Sequence, residues 1–289
     1  MVRQDAGQGQ PAAGDWRGSL GIQNVSEVLP LLARIAEATT VGQVWDTATA
    51  FFAGLGFGRV NYGYTRFLND RSIGSPEDVV FLTTADAEYA RRYFSGGLYA
   101  RTPVFHWAQR NTGGCTWAWV KGAMERGELS EDEVAAVRQN LAMGISAGIT
   151  VSFPETSTRA KGALGLIADP GMDHAAVEAI WSARRDEIMA VANMMHLKIV
   201  HLPGTSRGRQ LTQRQREALE WVADGKTMQD IAVLMDVSPA MVEKHLRLAR
   251  EALDVETTAQ AVAKAALLNL IFQKDEGVGQ DAKPAAAAR

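Results

Sequence analysis

Residues 202–210 (LPGTSRGRQ) combine glycine, proline, serine and arginine without apolar periodicity, and they divide the 289-residue chain into two unlike parts. Helix-like and strand-like patterns alternate before this break. After it, only helical spacing occurs. At roughly 100–200 residues per domain, the length also favours two units, each able to bury a core. The expected fold class is therefore an α/β domain at 21–201, a linker at 202–210, and an all-α domain at 211–272. The ends, 1–20 and 273–289, lack apolar periodicity and are expected to be disordered tails.

Composition narrows the class. Hydrophobic residues make up 46% and charged residues 22%, which excludes wholesale disorder. A net charge of −3 excludes a uniformly basic nucleic-acid coat but leaves room for a local basic face. The single cysteine, Cys115, excludes an internal disulfide framework and a multi-cysteine zinc site, and fits a reducing compartment. No apolar run reaches the roughly 18–20 residues of a membrane span. The first residues lack the apolar core of a secretory signal. The expectation is a cytoplasmic protein with no membrane partner and no bound metal.

In the first part, apolar residues at helical spacing between 25 and 52 predict two helices broken near Thr39 and Thr40. Residues 59–67 alternate, with Val60, Tyr62 and Tyr64 on one side and Asn61, Gly63 and Thr65 on the other, and predict a strand. A second short strand is expected at 79–82, then a helix over 84–94 with Thr84 as its N-cap. Ser130 and Glu133 form a capping box opening a helix that runs to about Met143. Apolar strands at 148–153 and 162–167 flank a turn, and a long helix runs from 174 to about 199. One sheet with helices on its faces accounts for this order.

In the second part, Thr212 and Gln215 form another capping box, and Gly225 stands where a glycine ends a helix. A second helix is expected at 227–235. Ser238 and Pro239 then supply an N-cap and an N1 proline for a third helix to about Leu253. Val242, Leu246, Ala249 and Leu253 share one face of that helix. Ala240, Lys244, Arg247 and Glu251 share the opposite face, with Arg250 to one side. Two short helices joined by a tight turn, the second amphipathic, form a helix-turn-helix whose second helix fits a DNA major groove. Residues 207–264 hold nine Lys/Arg and nine Asp/Glu, so binding must rest on charge placement and avidity rather than net charge. The apolar run 262–272 suits either a dimerisation helix or the core of this small domain.

The run LTQRQREALEWVADGKTMQDIAVLMDVSPAMVEKHLRLAREALDVETTAQAVAKAALLNLI resembles the DNA-binding domain of LuxR-type transcription factors along its whole length. The resemblance implies contacts to double-stranded DNA from Thr227, Ala240, Met241, Lys244, Arg247 and Arg250. Lys244 is the candidate for a base or phosphate, and Arg247 and Arg250 are candidate phosphate clamps.

The first part carries no phosphate-binding loop and no assembled phosphoreceiver cluster. It is rich in aromatics: Tyr89, Tyr93, Tyr99, Trp107, Trp117 and Trp119 follow Tyr62 and Tyr64. Such a cluster either fills a core or walls an apolar pocket with a few polar handles. The segment DAEYARRYFSGGLYARTPVFHWAQRNTGGCTWAWV, with GISAGITVSFP and GALGLI, resembles the autoinducer-binding domain of quorum-sensing LuxR-type regulators. That resemblance implies an α/β/α sandwich binding an N-acyl-homoserine lactone between sheet and helices. The family's Trp, Tyr, Asp-Pro and second Trp fall on Tyr89, Tyr93, Thr102-Pro103 and Trp117. The candidate ligand-binding residues are thus Tyr62, Tyr64, Tyr89, Tyr93, Thr102 and Trp117. The family's Asp accepts the ligand's amide N–H, whereas Thr102 is a neutral, shorter acceptor, and Tyr89 offers an O–H of different reach. Gln215 likewise replaces the family's usual Glu.

The implied function is a homodimeric transcription factor on a pseudo-palindromic operator, controlled by an acyl-homoserine lactone or a divergent signal, with no other cofactor. RNA polymerase or a related LuxR-type regulator are further implied partners. The alternative is a ligand-independent regulator or an antiactivator. An enzyme is not expected, since His106, His174 and Cys115 have no paired acid or metal-ligand spacing beside them, and no catalytic residue is assigned.

Overall fold

The structure is a computed structural model that describes residues 25–68, 73–155, 157–203 and 210–273. The tails expected at 1–20 and 273–289 lie outside the described residues, Gln273 excepted, and of the linker only 202, 203 and 210 are described.

Helices α1 (Val25–Glu37) and α2 (Val41–Gly54) are separated at Thr40, whose hydroxyl accepts from the Gln43 N–H in a capping box. This is the break expected from the sequence. Strands β1 (Arg59–Thr65) and β2 (Val80–Thr83) follow, then the short helix α3 (Ala87–Ala90) and a π-turn at 91–95. The expected N-cap at Thr84 is corrected here. Asp86 caps α3 by accepting from the Tyr89 N–H, while the Thr84 hydroxyl bridges the Gly58 carbonyl and the Val60 N–H. Helix α4 (Pro103–Arg110), strand β3 (Gly113–Thr116) and helices α5 (Ala118–Glu125) and α6 (Glu131–Ala142) come next. The Ser130–Glu133 box opens α6 as the sequence predicts. Strands β4 (Gly148–Ser152) and β5 (Lys161–Ile167) lead into α7 (His174–His201), which is kinked at Arg184.

The five strands form one antiparallel sheet in the order β2-β1-β5-β4-β3. Its two faces are chemically distinct because side chains alternate along each strand. Val60, Tyr62 and Tyr64 of β1, Ile149 and Val151 of β4, and Leu164 and Leu166 of β5 join the core made with α1, α2 and α7. The other face carries Asn61, Gly63 and Thr65, Thr150, and Ala163, Gly165 and Ile167, and lies beneath α3–α6. Helix layers on both faces make the α/β/α arrangement.

Helices α8 (Gln213–Ala223), α9 (Met228–Leu234), α10 (Pro239–Leu253) and α11 (Thr258–Leu267) enclose a second core. Thr212, Thr227 and Ser238 cap the first three, and Gly225, at φ +77°, terminates α8 in the left-handed region. Val242, Leu246, Ala249 and Leu253 are all buried, as their spacing predicts. The run 262–272 divides: Leu268, Leu270 and Ile271 are core, whereas Leu267 and Phe272 are exposed. The two parts touch through an ion pair of Lys264 Nζ with Asp78 Oδ2 (2.8 Å), with Lys264 also over the Phe67 ring. Asn269 Nδ2 donates to the Val200 carbonyl at the end of α7.

Candidate functional site

A cavity of about 370 Å³ lies between the sheet and the α3–α6 layer. Its floor exists because small residues occupy one face of the central strands: Gly63 on β1, and Ala163 and Gly165 on β5. A side chain larger than methyl there would fill the space. The walls are largely apolar, with Phe81, Tyr93, Phe105, Val120 and Met124 among them. A mostly apolar void with a few polar atoms is the usual form of a small-molecule site.

The polar atoms cluster at one point. Thr83 Oγ1 donates to Asn61 Oδ1 (2.7 Å), and Asn61 Nδ2 donates to the Tyr89 hydroxyl (2.7 Å). The Tyr89 ring stacks on Tyr93 at 5.2 Å, and the Tyr93 hydroxyl lies against Asn61 and Thr102. Thr102 is 1% exposed and is the N-cap of α4. Its hydroxyl donates to the Tyr99 carbonyl (2.8 Å) and accepts from the Phe105 N–H (3.3 Å). Trp117, the residue before α5, donates its indole N–H to Thr150 Oγ1 (2.8 Å). Tyr89, Tyr93, Thr102 and Trp117 are therefore brought together around one cavity, and Thr102 is buried rather than solvated.

Tyr62 and Tyr64 require a correction. Their backbone runs along the cavity floor, but their side chains point through the sheet into the opposite core. There the Tyr62 hydroxyl meets His196 Nδ1 at 2.9 Å, and His196 Nε2 pairs with Glu155 at 3.1 Å under a stacked Phe153 ring. Asn61, Gly63 and Gly165 occupy the cavity face instead, and sequence reasoning passed over all three. The signal that could have found them is a strand face of Gly, Ala and a single amide, which cannot fill the space between a sheet and a covering helix.

All five tyrosines of the chain are held above the ordinary phenol value of 10, with burial the largest cause in each, and Tyr89 is pushed up to about 12. Folded protein keeps these phenols neutral where unfolded chain ionises them. Their contribution to stability is complete below pH 10 and is lost as pH rises through the raised folded-state values, about 12 for Tyr89. A spectrophotometric titration should show little phenolate absorbance from native protein at pH 10, and a stepwise gain on adding denaturant. Half-ionisation of the native tyrosines at pH 10 would contradict the packing described.

Of the other residues noted for reactivity, His106 departs from expectation in having an acid beside it, and Cys115 is part-buried. His106 Nδ1 meets Glu133 Oε1 at 2.7 Å, and burial pushes the Cys115 thiol up to about 11. Among the described residues no group of three His, Cys, Asp or Glu could hold a metal ion, and no helix is long and apolar enough to cross a membrane.

In the second part, α9 and α10 form the helix-turn-helix. Ser238 caps α10 by accepting from the Met241 N–H, which leaves Ala240, Met241, Lys244 and Arg247 on its exposed face. Thr227, also exposed, caps α9. Lys244 has no ion-pair partner among the described residues, and Arg247 makes only an exposed pair with Glu251. Such a surface pair is worth at most about 1 kcal/mol and exchanges readily for a phosphate. Arg250 differs from expectation. Its guanidinium donates to Thr258 Oγ1 (2.9 Å) and Glu243 (3.1 Å), tying α10 to α11, so it braces the domain rather than standing open as a phosphate clamp.

Comparison with known proteins gives matches across both parts. The family model described as an autoinducer binding domain matches residues 40–199, and that of sigma-70 region 4 matches residues 209–253. The transcriptional activator protein TraR of Agrobacterium vitis is 26% identical over 218 residues, covering 74% of this chain and 87% of its own. The HTH-type quorum sensing-dependent transcriptional regulator RpaR of Rhodopseudomonas palustris is 33% identical over 103 residues, 36% of this chain and 40% of its own. Among solved structures, SdiA in complex with octanoyl-rac-glycerol is 18% identical with a TM-score of 0.49, over 86% of this chain and 97% of that one.

Proposed function

The chain belongs to the LuxR-type quorum-sensing transcriptional regulators, whose autoinducer-binding domain it carries, and from that membership we propose a cytoplasmic homodimer that binds a pseudo-palindromic operator when a small signal fills its cavity. The domain limits proposed are 21–201 for signal binding and 211–272 for DNA binding. Tyr89, Tyr93, Thr102 and Trp117 form the signal site, joined by Asn61. Ala240, Met241, Lys244 and Arg247 face the DNA, with Thr227 at its edge. A two-fold dimer places two copies of α10 one helical turn apart on the duplex. RNA polymerase is the further partner proposed, and the chain is read as a regulator without catalysis.

The observation that carries this reading is the aromatic-walled cavity at the positions where the family binds its signal. A specific observation also favours a second reading, a ligand-independent regulator or antiactivator: the Thr102 hydroxyl and the Trp117 indole are already hydrogen-bonded within the chain. Native mass spectrometry of protein purified from its own host separates the two. The first reading expects one small molecule per chain, with DNA binding lost on its removal. Ligand-free protein that shifts the same DNA unaided would establish the second.

A further inference from the structure

The cavity is polar at both ends and apolar between them. One end holds the Asn61–Tyr89 cluster. Asn140, another lining residue, belongs to this end, because its carbonyl accepts from the N–H of Ile145, which packs with Tyr89. Its Oδ1 is buried and, among the described residues, has no hydrogen-bond partner, so a ligand's polar head finds an open acceptor here. The register of β5 sets the other end. Gly165 lies opposite Asn61 and Lys161 opposite Thr65, which places Lys161 about 13 Å along the strand from the cluster. Alternation puts Lys161, Ala163 and Gly165 on one face, and all three line the cavity. Gly63 and Ala163 floor the stretch between, beside the Phe81 ring.

Lys161 brings a positive charge to this far end. Its ammonium donates to the carbonyl of Asn111, the C-cap of α4 (3.1 Å), and has no ion-pair partner among the described residues. Burial pushes its pKa down, and the carboxylate that opposes this shift, Glu155, is held by His196 behind the sheet. None of the residues lining the cavity is Asp or Glu. A methyl-ended chain laid against Lys161 takes water from the ammonium and offers nothing in return. A carboxylate replaces that water with a charge-assisted hydrogen bond.

Resting on the reading of this cavity as the signal site, we infer that Lys161 determines specificity at the far end of the signal, and that the site selects an acyl chain ending in a carboxylate rather than a methyl group. The polar head lies with Asn61, Tyr89 and Asn140, the methylenes cross Gly63 and Ala163, and the carboxylate meets Lys161. One charge-assisted bond is worth roughly ten- to a hundredfold in affinity.

The matched probes are homoserine lactones acylated with octanoyl, decanoyl or dodecanoyl chains, each compared with the same chain carrying a terminal carboxylate in place of its methyl. Calorimetric titration of the full chain should find the carboxylate form tighter by about tenfold or more at the length that reaches Lys161, with the advantage shrinking as salt rises. Lys161→Met keeps the aliphatic stem without the charge and should remove that preference, while Lys161→Arg should retain it. Circular dichroism checks that both variants fold. A parent that binds the methyl-ended chains as tightly as the carboxylates at every length overturns the inference and leaves the signal-site reading intact. A carboxylate preference that persists in folded Lys161→Met also overturns it, since another group, such as the exposed Lys121 at the cavity wall, then holds the charge. If no probe binds the parent, the signal-site reading falls and the inference with it.

Discussion

Replacing Lys244 and Arg247 together with alanine should abolish the gel shift on operator DNA while leaving the helical circular dichroism unchanged. Both side chains stand on the exposed face of α10, opposite the buried Val242, Leu246 and Ala249, so neither substitution touches the core. Each contact to a base or phosphate is worth about 1–3 kcal/mol, so losing two per chain weakens binding by at least roughly a hundredfold. The remaining affinity should also depend less steeply on salt, because fewer counterions are released. Arg250→Ala should behave differently. Its bonds to Thr258 and Glu243 hold α10 against α11, so its loss should lower the melting temperature of the small domain before it alters sequence preference. A double variant that shifts the operator like the parent would mean that α10 is not the helix in the groove.

The second large effect is expected at Gly148. A Cβ there would sit 2.3 Å from the Leu166 carbonyl oxygen and 2.9 Å from the Trp117 ring. The carbonyl belongs to β5, which pairs with both β4 and β1, so it cannot retreat without opening the centre of the sheet. Trp117 cannot swing away without breaking its bond to Thr150. Gly148→Ala should therefore cost about 3 kcal/mol or more, lowering the melting temperature of the larger domain by roughly 6–12 °C. Calorimetry that finds less than about 2 °C of change would show that the strands separate here more easily than the ladder implies. Gly127, whose added Cβ meets nothing within 4 Å, provides no comparable clash, and its φ of +70° is the only constraint there.

Much of the molecule is written locally. The boxes at Ser130–Glu133 and Thr212–Gln215, the Ser238–Pro239 start of α10 and the left-handed Gly225 depend on residues within a few positions of one another. Their hydrogen bonds close inside one turn, so the sequence alone determined these helix ends and, through apolar spacing, which face of α10 is buried. The family resemblance of both halves was legible for the same reason, since it rests on contiguous runs. Strand β3 was not legible. Gly113–Thr116 has no apolar alternation and is a strand because β4 supplies its hydrogen bonds. Thr84 was misread because its hydroxyl serves Gly58 and Val60 across the sheet, a pairing more than twenty positions distant. The site itself turned on the same kind of fact. Alternation along β1 separates Tyr62 and Tyr64 from Asn61 and Gly63, yet a sheet covered by helices on both faces buries both sets. Period two sorts side chains into faces without saying which face is filled and which left hollow. Only the packing of α1, α2 and α7 around the tyrosines, and the gap that Gly63, Ala163 and Gly165 leave beneath α3–α6, decided where a ligand can lie.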